Sequence, residues 1–145
     1  MTIKEVNICF VADEGYIVPT AAAIASVCHN CDSRIKHNIF VVMLPNCSEN
    51  AKRALTFSAV KYENVAVKII EHSMDELENL HRGDDTRYLA ATKTARLKFR
   101  LADIFNDLDT MLYLDGDIIV RDDLSELFSV DLSGYYAGAV RDLPQ

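Results

Sequence analysis

The chain has 145 residues, 50% of them apolar and 26% charged, with a formal charge of -7. That length fits one domain able to bury roughly two-thirds of its unfolded surface. The acidic balance argues against nucleic acid or anionic lipid as a partner across the whole surface. No apolar run approaches the roughly 18 residues of a transmembrane helix, and residues 1–6 lack a signal-peptide core, so a cytoplasmic location is the expectation.

Residues 6–12, nearly all apolar, read as a first strand, and Asp13-Glu14-Gly15-Tyr16 as the turn after it. A helix is expected over 19–28, with Pro19 in the first turn where a missing N–H costs nothing and alanines that let it lie close to a sheet. Residues 38–44 form the second expected strand. Ser48 is placed to cap a helix whose apolar face is Ala51, Leu55, Ser58 and Ala59, and residues 65–70 are the third strand. This β-α-β-α-β order predicts the mononucleotide-binding half of a doubly wound α/β fold. Residues 72–88 are polar and read as a loop with one short helix. A helix over 91–105 should carry Leu97, Leu101, Ile104 and Phe105 on one stripe and Lys93, Arg96 and Arg100 on another. Asp122 or Asp123 is expected to cap a helical turn through Phe128, and residues 136–140 to form a last strand. With only five residues beyond that strand, a further C-terminal portion is expected.

The stretch that organises the chain is Met111-Leu112-Tyr113-Leu114-Asp115-Gly116-Asp117-Ile118-Ile119-Val120. Its apolar continuity predicts a central strand buried on both faces. Side chains at i and i+2 of an extended segment leave the same face, so Asp115 and Asp117 should converge. Two such charges about 5 Å apart repel by roughly 3 kcal/mol at an effective dielectric of ~20. A positive group should therefore sit between them, and a hard divalent cation suits oxygen ligands. Gly116 leaves room for a close approach by a ligand.

Asp13 and Tyr16 leave the first strand at the carboxyl edge of the sheet, where doubly wound folds bind ligands. They suit a nucleobase, by hydrogen bond and by stacking; equally, Asp13 organises its own turn and Tyr16 lies at the surface. Arg96 is either a diphosphate or sugar contact or part of a solvated face balanced by Asp103. No G-x-G-x-x-G follows the first strand, which disfavours dinucleotides. Cys28-His29-Asn30-Cys31 closes a helix instead of opening one and has no second ligand pair, so all four cysteines are read as structural. None of the histidines falls at ligand spacing with another.

Four blocks together resemble the retaining nucleotide-sugar glycosyltransferases of family 8, the galactosyl- and glucosyltransferase group that includes lipopolysaccharide enzymes and glycogenins. They are Ala12-Asp13-Glu14-Gly15-Tyr16, Thr94-Ala95-Arg96-Leu97-Lys98-Phe99, Leu112 to Val120, and Gly138-Ala139-Val140-Arg141-Asp142. The resemblance implies a Rossmann-like GT-A fold, with a mostly parallel sheet and helices on both faces, whose C-terminal part is missing. Residues 1–145 would then be the donor-binding portion of one glycosyltransferase domain. It implies a UDP-hexose donor, galactose or glucose, with Ala12, Asp13 and Tyr16 at the uracil end and Arg96 near the sugar and diphosphate. Asp115 would serve ribose and metal, Gly116 the donor, Asp117 the metal, and Asp142 the transferred sugar. The metal would be Mn²⁺ or Mg²⁺, with the family's third ligand, a histidine, beyond residue 145. The acceptor would be a glycan or glycolipid such as lipopolysaccharide core, and the full-length protein would be peripheral to the inner membrane. Many relatives carry Asn where Gly15 stands. Two other functions fit parts of the pattern: a haloacid dehalogenase-type phosphatase with Asp115 as nucleophile, and a non-catalytic nucleotide-binding chain.

Overall fold

The computed structural model describes residues 5–73 and 93–141. Four strands, β1 (Glu5–Val11), β2 (Lys36–Met43), β3 (Val65–Glu71) and β4 (Leu112–Tyr113), form one parallel sheet in the order β3-β2-β1-β4. β1 pairs with β2 from Glu5–Lys36 to Val11–Val42, and β2 with β3 from His37–Val65 to Met43–Glu71. The sheet therefore grows outward from β1 through β2 to β3, then returns to the other side of β1 with β4. The reversal places a crevice at the carboxyl ends of β1 and β4.

Strand periodicity divides the core into two layers. Val6, Ile8 and Phe10 of β1 and Ile39, Val41 and Met43 of β2 face helices α1 (Ile17–Asn30) and α2 (Glu49–Phe57), meeting Ala23, Ile24, Val27, Ala51 and Leu55. Cys9 and Val11 of β1, with Phe40 and Val42 of β2, face the other way onto Leu97, Leu101 and Phe105. The Phe40 and Phe105 rings lie 4.9 Å apart, tilted by 59°. Cover on both faces explains why the first two strands read as unbroken apolar runs.

Residues 93–104 are not the continuous helix expected. They form α3 (Lys93–Arg96), a 3-10 turn (Leu97–Arg100) and α4 (Leu101–Ile104). The tighter turn still buries Leu97 and Leu101 while leaving Lys98 and Phe99 exposed. The expected loop over 72–88 lies outside the described residues beyond Ser73.

The organising stretch departs further from expectation. Only Leu112 and Tyr113 are strand, both half-buried, and among the described residues their sole neighbour is β1, through Ile8–Leu112 and Cys9–Tyr113. Leu114 adds one more bond to Cys9 O at 3.0 Å. The chain then turns at Gly116-Asp117 and runs along α1 instead of continuing in the sheet. Val120 N donates to Ser26 Oγ at 2.8 Å, and Val120 O accepts from Asn30 Nδ2 at 2.9 Å. Those helix side chains supply Val120 with the partners a ladder would have given, so Ile118 and Val120 pack into the core without being a strand, while Ile119 is exposed.

Neither aspartate is the cap expected of them: the N-cap of α5 (Ser125–Phe128) is Leu124, which makes no side-chain cap bond, while Asp123 Oδ1, one residue earlier, accepts from Ser125 N at 2.8 Å. The last expected strand, residues 136–140, is not formed. Tyr136 and Val140 are exposed and make no ladder.

Candidate functional site

The loop at the tip of β1 is built by Asp13. Its Oδ1 accepts from Gly15 N at 3.0 Å and Tyr16 N at 3.2 Å, closing a 3-10 turn (Glu14–Tyr16) that leads into α1. Glu14 reaches the other way, accepting from Ser48 Oγ at 2.7 Å and Ser48 N at 3.1 Å. The hydrogen bonds to Ser48 hold the Glu14 carboxyl below its ordinary value. Ser48 Oγ in turn accepts from Ala51 N and caps α2, so the loop is fastened to both helices of that face.

The tip of β4 is built against the same helix. Gly116 does not need a left-handed backbone; the glycine with positive φ among the described residues is Gly134. Gly116 is needed for space. A Cβ there would overlap Thr20 Oγ1 and lie 3.4 Å from Thr20 Cβ, and Thr20 is fully buried on α1. The hydroxyl of Thr20 has no hydrogen-bond partner among the described residues. Gly116 thus makes room for the approach of a helix, and it also lines the cleft.

Between these two tips lies a cleft of about 360 Å³ lined by Val11, Asp13, Tyr16, Thr94, Lys98, Tyr113, Asp115, Gly116 and Asp117. Asp115 and Asp117 do share one cavity, brought there by a turn and not by the pleat of a strand. A positive group does reach one of them: Lys98 Nζ sits 2.8 Å from Asp115 Oδ1. Tyr113 Oη donates to the same oxygen at 2.7 Å, and the Lys98 ammonium lies 5.0 Å from the centre of the Tyr113 ring, a cation–π distance. Lys98 first, then Tyr113, holds the Asp115 carboxyl below its usual range. Burial pushes the Tyr113 phenol up to about 12. On Lys98 burial works downward but is outweighed by its bonds to Asp115 and Tyr113, so the ammonium is favoured.

The remaining expected residues are placed differently. Ala12 is buried and donates its N–H to Val42 O at 3.1 Å, extending the sheet between two lining residues without lining the cleft itself. Arg96 is half-buried on α3 and is not among the lining side chains, whereas Asp103 pairs with Arg100 at 3.3 Å. Asp142 lies outside the described residues. Sequence reasoning passed over Lys98, Thr94 and Tyr113. The signal for Lys98 was present in the charge argument, but a regular helix over 91–105 assigned the basic stripe to Lys93, Arg96 and Arg100.

No group of three or more His, Cys, Asp or Glu side chains among the described residues could hold a metal ion. The donor set fits a hard cation in part. Two carboxylates line one cavity, and one of them, Asp115, already carries a cationic head on Oδ1.

Among curated proteins, human glycosyltransferase 8 domain-containing protein 2 is 28% identical over 139 residues, 96% of this chain and 39% of its own length. Glycosyltransferase GlyB of Streptococcus pneumoniae is 31% identical, covering 94% of this chain and 31% of itself. Probable galacturonosyltransferase 6 of Arabidopsis thaliana is 38% identical over 72 residues, 50% of this chain and 12% of its own length. The chain thus spans well under half the length of these relatives. Among solved structures, the bifunctional glycosyltransferase WbbM superposes with a TM-score of 0.73 at 20% identity, over 91% of this chain and 22% of that one. Galactosyltransferase LgtC, solved with donor and acceptor sugar analogues, gives 0.62 at 24% identity, over 88% of this chain and 43% of that one. These likenesses give the fold as GT-A-like, a parallel sheet flanked by helices. The family model for glycosyl transferase family 8 matches residues 7–145, and the chain belongs to that family.

Proposed function

We propose that residues 1–145 are the donor-binding portion of a glycosyltransferase domain that transfers galactose or glucose from a UDP-sugar, with retention, to a glycan acceptor such as lipopolysaccharide core. One observation carries the reading. At the point where strand order reverses, two aspartates on one tip face an aspartate and a half-exposed tyrosine on the other across a single cleft. The arrangement suits a ligand with a base at one end and a diphosphate at the other. Tyr16 offers a ring for stacking, and Asp13 retains carboxylate capacity for a base N–H beyond its two backbone bonds. Asp115 and Asp117 would hold Mn²⁺ or Mg²⁺, which when bound supplies Lewis-acid neutralisation of charge on the departing diphosphate. Arg96 and Asp142 belong to the same proposal as contacts of diphosphate and sugar, and Ala12 and Gly116 as backbone contacts of the donor.

The likeness to a probable galacturonosyltransferase supports sugar transfer as the class. No helix of the described residues is long and apolar enough to cross a membrane, and a cytoplasmic site peripheral to the inner membrane is part of the proposal. A dehalogenase-type phosphatase would carry its nucleophile at the tip of β1. Here the D-x-D pair instead follows β4, the last described strand in chain order.

The test is calorimetric titration of UDP with and without Mn²⁺ on the parent and on Asp117→Ala. Binding in the parent is expected to require the metal and to weaken at least tenfold in the variant. Equal, metal-independent binding in both proteins would remove the coordination reading.

A further inference from the structure

We propose that Lys98 is a movable counter-charge of the cleft. It holds Asp115 while the cleft is free, yields that carboxylate to a divalent cation, and then turns its ammonium to the diphosphate that binds with the metal. This rests on the donor-binding reading above and adds to it an order of events and a residue.

The geometry sets up a competition at one atom. Asp115 Oδ1 accepts from both Lys98 Nζ and Tyr113 Oη, at 2.8 and 2.7 Å. An ammonium is a donor only, and a hard cation needs the same lone pairs, so Lys98 must leave that oxygen if a dication is to take it. Nothing strong resists the exchange. The Lys98 side chain is 42% exposed and that of Asp115 58%, and pairs open to solvent are weak. Leu97, fully buried beside it, fixes the base of the lysine in the 3-10 turn. The four-carbon stem is free to swing, and the Tyr113 ring, whose centre is already 5.0 Å from the ammonium, keeps a favourable face beside it within the cleft.

Charge gives the exchange a direction. Among the described residues the lining side chains carry three carboxylates against one ammonium, a balance that disfavours an anionic diphosphate until a cation joins it. Once a dication joins Asp115 and Asp117, Lys98 is repelled from its old partner and faces an anion instead. The same side chain therefore opposes the metal alone and favours the metal with UDP. A lysine that only braced the fold would move both affinities the same way.

The test is calorimetry of Mn²⁺ alone, then of UDP at saturating Mn²⁺, on the parent, Lys98→Met and Lys98→Arg. Lys98→Met, which keeps the apolar stem, should bind Mn²⁺ alone about 2–5-fold tighter and UDP with Mn²⁺ about tenfold weaker. Lys98→Arg should stay near the parent in both. Shifts of one sign in Lys98→Met, or none, in a parent that binds Mn²⁺ and UDP would overturn the role of Lys98 alone. A parent that binds neither, indistinguishable from Asp117→Ala, would overturn the donor-binding reading itself.

Discussion

Gly116→Ala places a methyl group against a fully buried threonine, and its cost can be apportioned. The added Cβ would overlap Thr20 Oγ1, with Thr20 Cβ at 3.4 Å. A β-branched residue on a helix has few rotamers with which to retreat, and Thr20 has no exposed surface to retreat toward. Overpacking of this kind costs about 1–3 kcal/mol. Since Gly116 does not have a left-handed φ, alanine brings no backbone penalty of its own, and the whole effect should run through Thr20. Thr20→Ala removes the clashing hydroxyl, which has no partner to lose among the described residues, so that change alone should cost about 1 kcal/mol or less for the lost methyl. In the double variant the two substitutions should compensate, with a coupling of about 1–2 kcal/mol. Urea denaturation of all four proteins, read as midpoint shifts at constant m, measures the cycle. Gly116→Ala costing as much on the Thr20→Ala background as on the parent would refute the packing argument.

Ser26→Ala leaves the Val120 amide without its acceptor, and should lower stability by about 1–3 kcal/mol in the same denaturation assay. The Asp115 carboxyl is held low in the folded chain, chiefly by Lys98. Its contribution is therefore present above the unfolded carboxylate value and lost as pH falls through the folded one, and Asp115→Asn should flatten the acid limb of stability measured across that window. All four cysteines are free, and burial pushes the thiols of Cys9 up to about 12 and Cys28 to about 11. At mildly alkaline pH a thiol reagent should modify half-buried Cys31 and Cys47 first and reach Cys9 and Cys28 on unfolding.

The parallel sheet and both helices of its first face were legible because each element carries its own signal. β1 and β2 are apolar on two faces, Ser48 caps as expected, and the alanine-rich segment becomes α1. The two site loops were legible for the same reason, since chain order alone puts Asp13 and Asp115 at carboxyl tips. What escaped were decisions made between elements. Ile118-Ile119-Val120 has strand composition, yet the backbone groups of Val120 are claimed by Ser26 and Asn30, about 90 residues earlier. Residues 136–140 look like a strand by composition but find no partner among the described residues. The break at Leu97–Arg100 is hidden because a 3-10 turn satisfies nearly the same apolar spacing as an α-helix. That small change of pitch accompanies the placement of Lys98 in the cleft, while Arg96 does not line it.

Helix α1 begins at the loop closed by Asp13, carries Thr20 beneath Gly116, and ends with Asn30 holding Val120. One rigid rod thus sets the separation between the base-facing tip and the acidic tip, as a jig fixes two clamps. A tilt of that rod would carry both tips together and leave their span unchanged, so tolerance for a longer or shorter ligand must come from side chains such as Lys98 and Tyr16, and not from the frame.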